Sequence, residues 1–183
     1  GACDGLQYSN TLFFNKALGF RGILIEPGES QYERLVVNRP DDTCLRGAVT
    51  SCSAKSVRLL GDSPLAGLSN TMPAAHFNRW SSFLEGEGKL VPTLRLDTEL
   101  RKADMKYIDI LSIDVEGGEL AVLETMDWEI PVYVVVIEMS GDDKAKDEAC
   151  RDHLRKVCDF EANVGNNEVW VNRSYARRDV LFR

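Results

Sequence analysis

The chain is poor in the signals that mark common ligand sites. It has no Cys-x-x-Cys pair, and its five cysteines (Cys3, Cys44, Cys52, Cys150 and Cys158) are an odd number. That argues against a disulfide framework or a zinc knuckle and reads most simply as core thiols in a reduced compartment, hence a cytoplasmic protein. No apolar run approaches the roughly 20 residues of a membrane span; the longest, IPVYVVVI (130–137), has the length of a strand. There is no repeat and no low-complexity tract. Nor is there a basic excess: 29 acids face 22 bases, a net charge of −7. Nucleic-acid binding is therefore not expected, and the cluster Arg173, Arg177, Arg178 and Arg183 reads as a solvated tail. The GxGxxG of a dinucleotide turn and the GK[ST] of a P-loop are both missing. The chain does not begin with Met, so the lack of a targeting segment carries no information.

What is present is an ordinary globular balance, 44% hydrophobic and 28% charged, over a length that suits one domain. Three segments read as strands buried on both faces: GILIEP (22–27), YIDILSID (107–114) and VYVVVIEM (132–139). Helical patterns alternate with them. Residues 9–18 have Ser9 as a possible cap and end at Gly19; residues 29–38 put Tyr32, Leu35 and Val36 on one face. Residues 117–126 and 142–158 supply two more helices, and 91–100 a short strand leading into another. FEANVGNNEVWVN (160–172) reads as a hairpin turning at Gly165-Asn166-Asn167. Residues 61–92, rich in Gly, Pro, Ser and Asn, read as a long loop excursion or lid. The alternation predicts an open α/β sheet.

Ligands of such sheets bind beyond the carboxyl ends of the strands. Those ends offer Gly1-Ala2-Cys3-Asp4-Gly5, Glu26-Pro27, Asp114-Val115-Glu116-Gly117 and Glu138-Met139. Acids at four strand ends suit a ligand with hydroxyls and amines better than a polyphosphate. The GxxxG opening alone is a weak signal. Glu26, about twenty residues on, stands where a carboxylate can accept both hydroxyls of a ribose, or it is a solvated strand-end acid. Asp114 and Glu116 could orient an amine, bind a metal or take a proton from a hydroxyl; alternatively Glu116 caps the next helix or pairs with a base. His76, near Phe77 and Trp80 in the excursion, is a candidate general base on a lid, or a structural residue. Trp80 and Phe83 either line a substrate pocket or anchor the loop. His153 reads as a surface residue. No histidine sits close in sequence to activate a cysteine, so covalent catalysis has no support.

GACDGLQYSNT, GFRGILIEP and DILSIDVEGGELAVLETMDW, followed by VVVIEM, together resemble the FkbM-type methyltransferases. The resemblance covers nearly the whole chain. It implies a Rossmann-like class I methyltransferase fold: a mostly parallel sheet with an antiparallel last strand, in keeping with the terminal hairpin. It also implies S-adenosylmethionine as cofactor and O-methylation of a small-molecule or glycan acceptor. By that similarity Gly1, Asp4 and Gly5 border the methionine part of the cofactor and Glu26 holds the ribose. Ala48 and Val49, after a short strand around 44–49, border the adenine, and Asp114 faces the methionine end and the acceptor. The cofactor set is then Gly1, Asp4, Gly5, Glu26, Ala48, Val49, Asp114 and Glu116, with Asp114 and His76 as catalytic candidates. A divalent metal at Asp114 with Glu116 or Glu138 is conceivable but not demanded. Members carry a central strand before the first glycine, where this chain starts. The expectation is a fragment that binds the cofactor poorly by itself. A non-catalytic methyltransferase-like binding module is the competing reading. A nicotinamide oxidoreductase fails on the glycine spacing.

Overall fold

The computed structural model describes residues 1–84 and 86–174. Arg177, Arg178 and Arg183 lie outside the described residues. In chain order the elements are α1 (Leu12–Leu18), β1 (Ile23–Glu26), α2 (Glu29–Asn38), β2 (Thr43–Arg46), β3 (Ala48–Val49), β4 (Ser56–Leu60) and β5 (Gly67–Leu68). There follow α3 (Ala74–Leu84), β6 (Lys89–Leu94), α4 (Leu96–Lys102), β7 (Ile108–Ile113), α5 (Glu119–Glu124), β8 (Val132–Glu138), α6 (Lys144–Leu154), β9 (Cys158–Val164) and β10 (Asn167–Asn172).

The α/β alternation is as expected; a single, mostly parallel sheet is not what forms. The described strands make three sheets, a two-stranded parallel one, β1-β2, and two mixed ones, β7-β8-β10-β9 and β3-β6-β4-β5. The pairs β1–β2, β3–β6 and β7–β8 are parallel. The pairs of β10 with β8 and β9, and of β4 with β5 and β6, are antiparallel. The terminal hairpin is thus present, turning at Gly165 with φ +61°, and β10 joins β8 antiparallel in line with the resemblance.

The main core lies on the β7–β10 sheet. Ile113 of β7 and Val132, Val135 and Ile137 of β8 pack with Leu96 and Leu100 of α4, Val122 and Leu123 of α5, and Cys150 and Leu154 of α6. Trp170 of β10, 2% exposed, closes it. Near-continuous Val and Ile is what such a two-sided environment selects. Burying each of these side chains contributes about 1.5–3 kcal/mol. A smaller core joins Ala48, Val57, Leu59, Leu68 and Val91.

Several local expectations are corrected. The 61–92 region is not a long loop. Leu59 and Leu60 pair with Leu68 and Gly67, and α3 and β6 fill most of the remainder. Its glycines and prolines punctuate short elements: Pro73 leads into α3, and Pro92 lies within β6. The strand expected around 44–49 divides at Gly47 into β2 and β3, which belong to different sheets. A Cβ on Gly47 would come within 2.8 Å of the Leu94 side chain, so the chain passes closest where there is none. Ser9 does not cap α1, which starts at Leu12 after Thr11; Ser9 Oγ instead meets Thr11 Oγ1. In α2 the buried face is Gln31 and Leu35, and Val36 is exposed. His153 is half-buried and accepts the Trp128 indole N–H at 3.1 Å. Cys150 and Cys158 are core thiols as expected, but Cys52 is exposed.

One feature of the topology positions the site. β1 pairs with β2, and β7 with β8, but β1 and β7 do not pair with each other. Their facing flanks line a cavity of about 1260 Å³ together with Gly1, Ala2 and Cys3. At its end the Gly1 amine donates to the Asp114 carbonyl beyond β7, and the Ala2 amide donates to the Ile25 carbonyl of β1 at 3.0 Å. Successive donors that bond to opposite neighbours are the pattern of a strand between two parallel partners. Two residues of that pattern are made, and above them the groove is open. The open groove explains why β7 is largely half-buried rather than buried.

Candidate active site

The site is assembled at the carboxyl ends of β1, β7 and β8. Gly1, Glu26, Ala48, Val49, Asp114 and Glu116 all line the large cavity. Asp4 and Gly5 do not. The Asp4 carboxylate turns back to accept the Leu6 and Gln7 amides at 2.9 and 2.8 Å, so it holds the opening turn from behind. Gly5, at φ +77°, backs onto Arg39 and Leu35.

Glu26 is 4% exposed, at the end of β1. Its two oxygens accept the Cys3 and Gly28 amides, each at 2.8 Å. It therefore ties the glycine turn to the β1–α2 turn. A carboxylate has about four acceptor sites, so two remain. A Cβ on Gly1 would stand 2.7 Å from Glu26 Oε2, so glycine keeps the space in front of this carboxylate open.

After β7 the chain makes the turn Asp114–Gly118. Glu116 has φ +55°, uncommon for a residue with a side chain. Gly117, at φ +96°, admits nothing else: a Cβ there would lie 2.3 Å from Pro73 Cδ. The turn is held from three directions. Glu119, in the first turn of α5, accepts the Val115 and Gly117 amides at 3.0 and 3.1 Å. Lys146 of α6 donates to the Thr71 and Gly117 carbonyls. His76 of α3 meets Glu116, Nδ1 to Oε2, at 3.1 Å. Glu119 thus braces the turn rather than capping α5, whose N-cap Gly118 offers no side chain, and Glu116 pairs with a histidine from the excursion.

Asp114, Glu116 and Glu138 each bring an oxygen within 4.8 Å of the others. Burial first, then the charges of Glu138, Asp114 and Glu119, push Glu116 up to about 8. Burial, then Asp114, pushes Glu138 up to about 7, and its carboxyl is hydrogen-bonded to that of Asp114. Acids so crowded cannot all be charged, and shared protons relieve the repulsion.

His76, read as a general base on a lid or as a structural residue, lies behind the cavity. It is 4% exposed and absent from the cavity wall, and both its ring nitrogens are engaged. Trp80 and Phe83 do line the cavity, rings 6.3 Å apart. The helix bearing them is further tied down by an Arg79–Asp142 pair at 2.6 Å.

The site is a strand-end cavity of an α/β domain, walled by carboxylates and by two turns. The chain belongs to the FkbM methyltransferase domain family, whose model matches residues 1–165. Neither the curated proteins nor the solved structures give a match to it. Family membership makes the chain a methyltransferase domain. Among the described residues no helix is long and apolar enough to cross a membrane.

Proposed function

We propose that the domain transfers the methyl group of S-adenosylmethionine to a hydroxyl of a small molecule or glycan. The observation that carries this is the convergence of Glu26, Asp114 and Glu116 on one cavity in an FkbM domain. The donor set fits the cofactor: carboxylates accept ribose hydroxyls and an ammonium, and they favour a sulfonium charge. When bound, S-adenosylmethionine supplies a methyl group already activated for transfer.

The protein's work is then alignment and charge placement. Glu26 has acceptor sites left for the ribose hydroxyls beyond its two amides. Ala48 and Val49 give an apolar border for the adenine. Asp114, beside the Gly1 amine at the head of the groove, faces the methionine end. Trp80 and Phe83 wall the acceptor side, where the acids disfavour an anionic acceptor.

The test is a titration with S-adenosylmethionine and S-adenosylhomocysteine followed by protein NMR shifts. Glu26→Gln keeps one acceptor oxygen, and it should weaken binding about tenfold, the loss of a charge-assisted hydrogen bond. Unchanged affinity would remove Glu26 from the ribose site. No binding of either compound by the wild-type protein would instead favour a binding module that has kept the fold alone.

A further inference from the structure

We infer that Glu116 and His76 form a single proton-accepting unit, with Glu116 facing the acceptor and His76 as its buried positioning residue. The inference rests on the methyl-transfer reading and assigns its proton acceptor. Hydrogen-bond chemistry fixes the arrangement. His76 Nε2 lies 3.0 Å from the Leu65 carbonyl, which can only accept, so Nε2 carries a hydrogen. Nδ1 then faces Glu116 Oε2 at 3.1 Å. With no proton between them two lone pairs would oppose; with two, the hydrogens would clash. The contact therefore holds one proton, either on Oε2 or on Nδ1.

The surroundings choose between the two forms. The Glu116 side chain is 18% exposed and that of His76 is 6% exposed. The titratable groups facing the pair are Asp114 beyond β7, Glu138 of β8, Glu119 of α5 and the Gly1 amine; Lys146 of α6 is spent on the Thr71 and Gly117 carbonyls. With three acids against one amine, the resting proton sits on Glu116, and His76 is the acceptor. The upward displacement of Glu116 agrees with this. The left-handed backbone at Glu116 is held by Gly117, Glu119 and Lys146, so the carboxyl meets both the cavity and the ring.

The step balances. As the acceptor oxygen takes the methyl group, its proton passes to the Glu116 carboxyl, and the carboxyl's own proton passes to His76 Nδ1. The carbon–sulfur bond breaks with its electrons going to sulfur. One positive charge leaves the sulfonium and one appears on the imidazolium.

The chain has two histidines, so imidazole NMR is uncrowded. In protein with ¹⁵N-labelled histidine and ¹³C-labelled glutamate carboxyls, without cofactor, His153→Gln and Glu116→Gln assign the signals. The expected result is a hydrogen on His76 Nε2 and a lone pair on Nδ1 near neutral pH. As pH falls, the His76 ring and the Glu116 carboxyl should report one shared midpoint. In Glu116→Gln, which is isosteric, the ring should titrate at a midpoint displaced by at least one pH unit. A hydrogen on Nδ1 with Nε2 bare, separate midpoints, or an unchanged ring titration in Glu116→Gln would overturn the unit. These readouts need no ligand. Failure of S-adenosylmethionine to bind would therefore sink the methyl-transfer reading while leaving this result intact.

Discussion

At the scale of residues, the site is a case of side chains with more than one task. Glu26 secures two backbone turns and still fronts the cavity. Glu116 has a pKa raised by burial from the usual carboxylate range to about 8. The sign follows from linkage: a group that holds its proton more tightly when folded stabilises fully below its unfolded pKa, and the contribution is lost as pH rises through the folded value. Glu138 acts in the same direction, up to about 7. Thermal stability should therefore fall between about pH 4.5 and pH 8, and Glu116→Gln should flatten that slope. Melting curves across this range check it; a parallel slope in the variant would mean that Glu116 titrates normally. Gly117 carries a second prediction. Gly117→Ala combines φ +96° with a contact at 2.3 Å, and it should cost at least about 2 kcal/mol in urea denaturation.

At the scale of elements, α3 decides what the 61–92 region is. Its buried residues are His76 and Leu84, and ties through Glu116 and Asp142 hold it to the turns after β7 and β8. Leu84, 1% exposed, should act as a core residue: Leu84→Ala should cost about 2–5 kcal/mol, measured by chemical denaturation. A loss below about 1 kcal/mol would return the segment to a loosely held lid. The sequence misled here because Gly, Pro, Ser and Asn mark ends of short elements as readily as loops.

At the scale of the whole molecule, the open groove between β1 and β7 sets the stability profile. β8 is paired on both sides, while β7 has one paired edge. Amides of β8 should exchange with solvent at least tenfold more slowly than those of β7 that face the groove. Equal protection would mean that the groove is closed in solution.

The sequence by itself determined the elements with strong local signatures. Near-continuous Val and Ile made β8 legible and Ile108, Ile110, Leu111 and Ile113 made β7 legible, Gly19 ended α1, and the acids at strand ends pointed to the cavity, because each of these is a property of neighbours along the chain. The family was also legible, from the order and spacing of its motifs. Tertiary structure alone decided the rest. It brought His76 across forty residues to Glu116, turned Asp4 away from the cavity, and divided the strands among three sheets. Those outcomes depend on which surfaces meet across long separations, where the energies of burial and of shared protons are settled between residues that the sequence keeps apart.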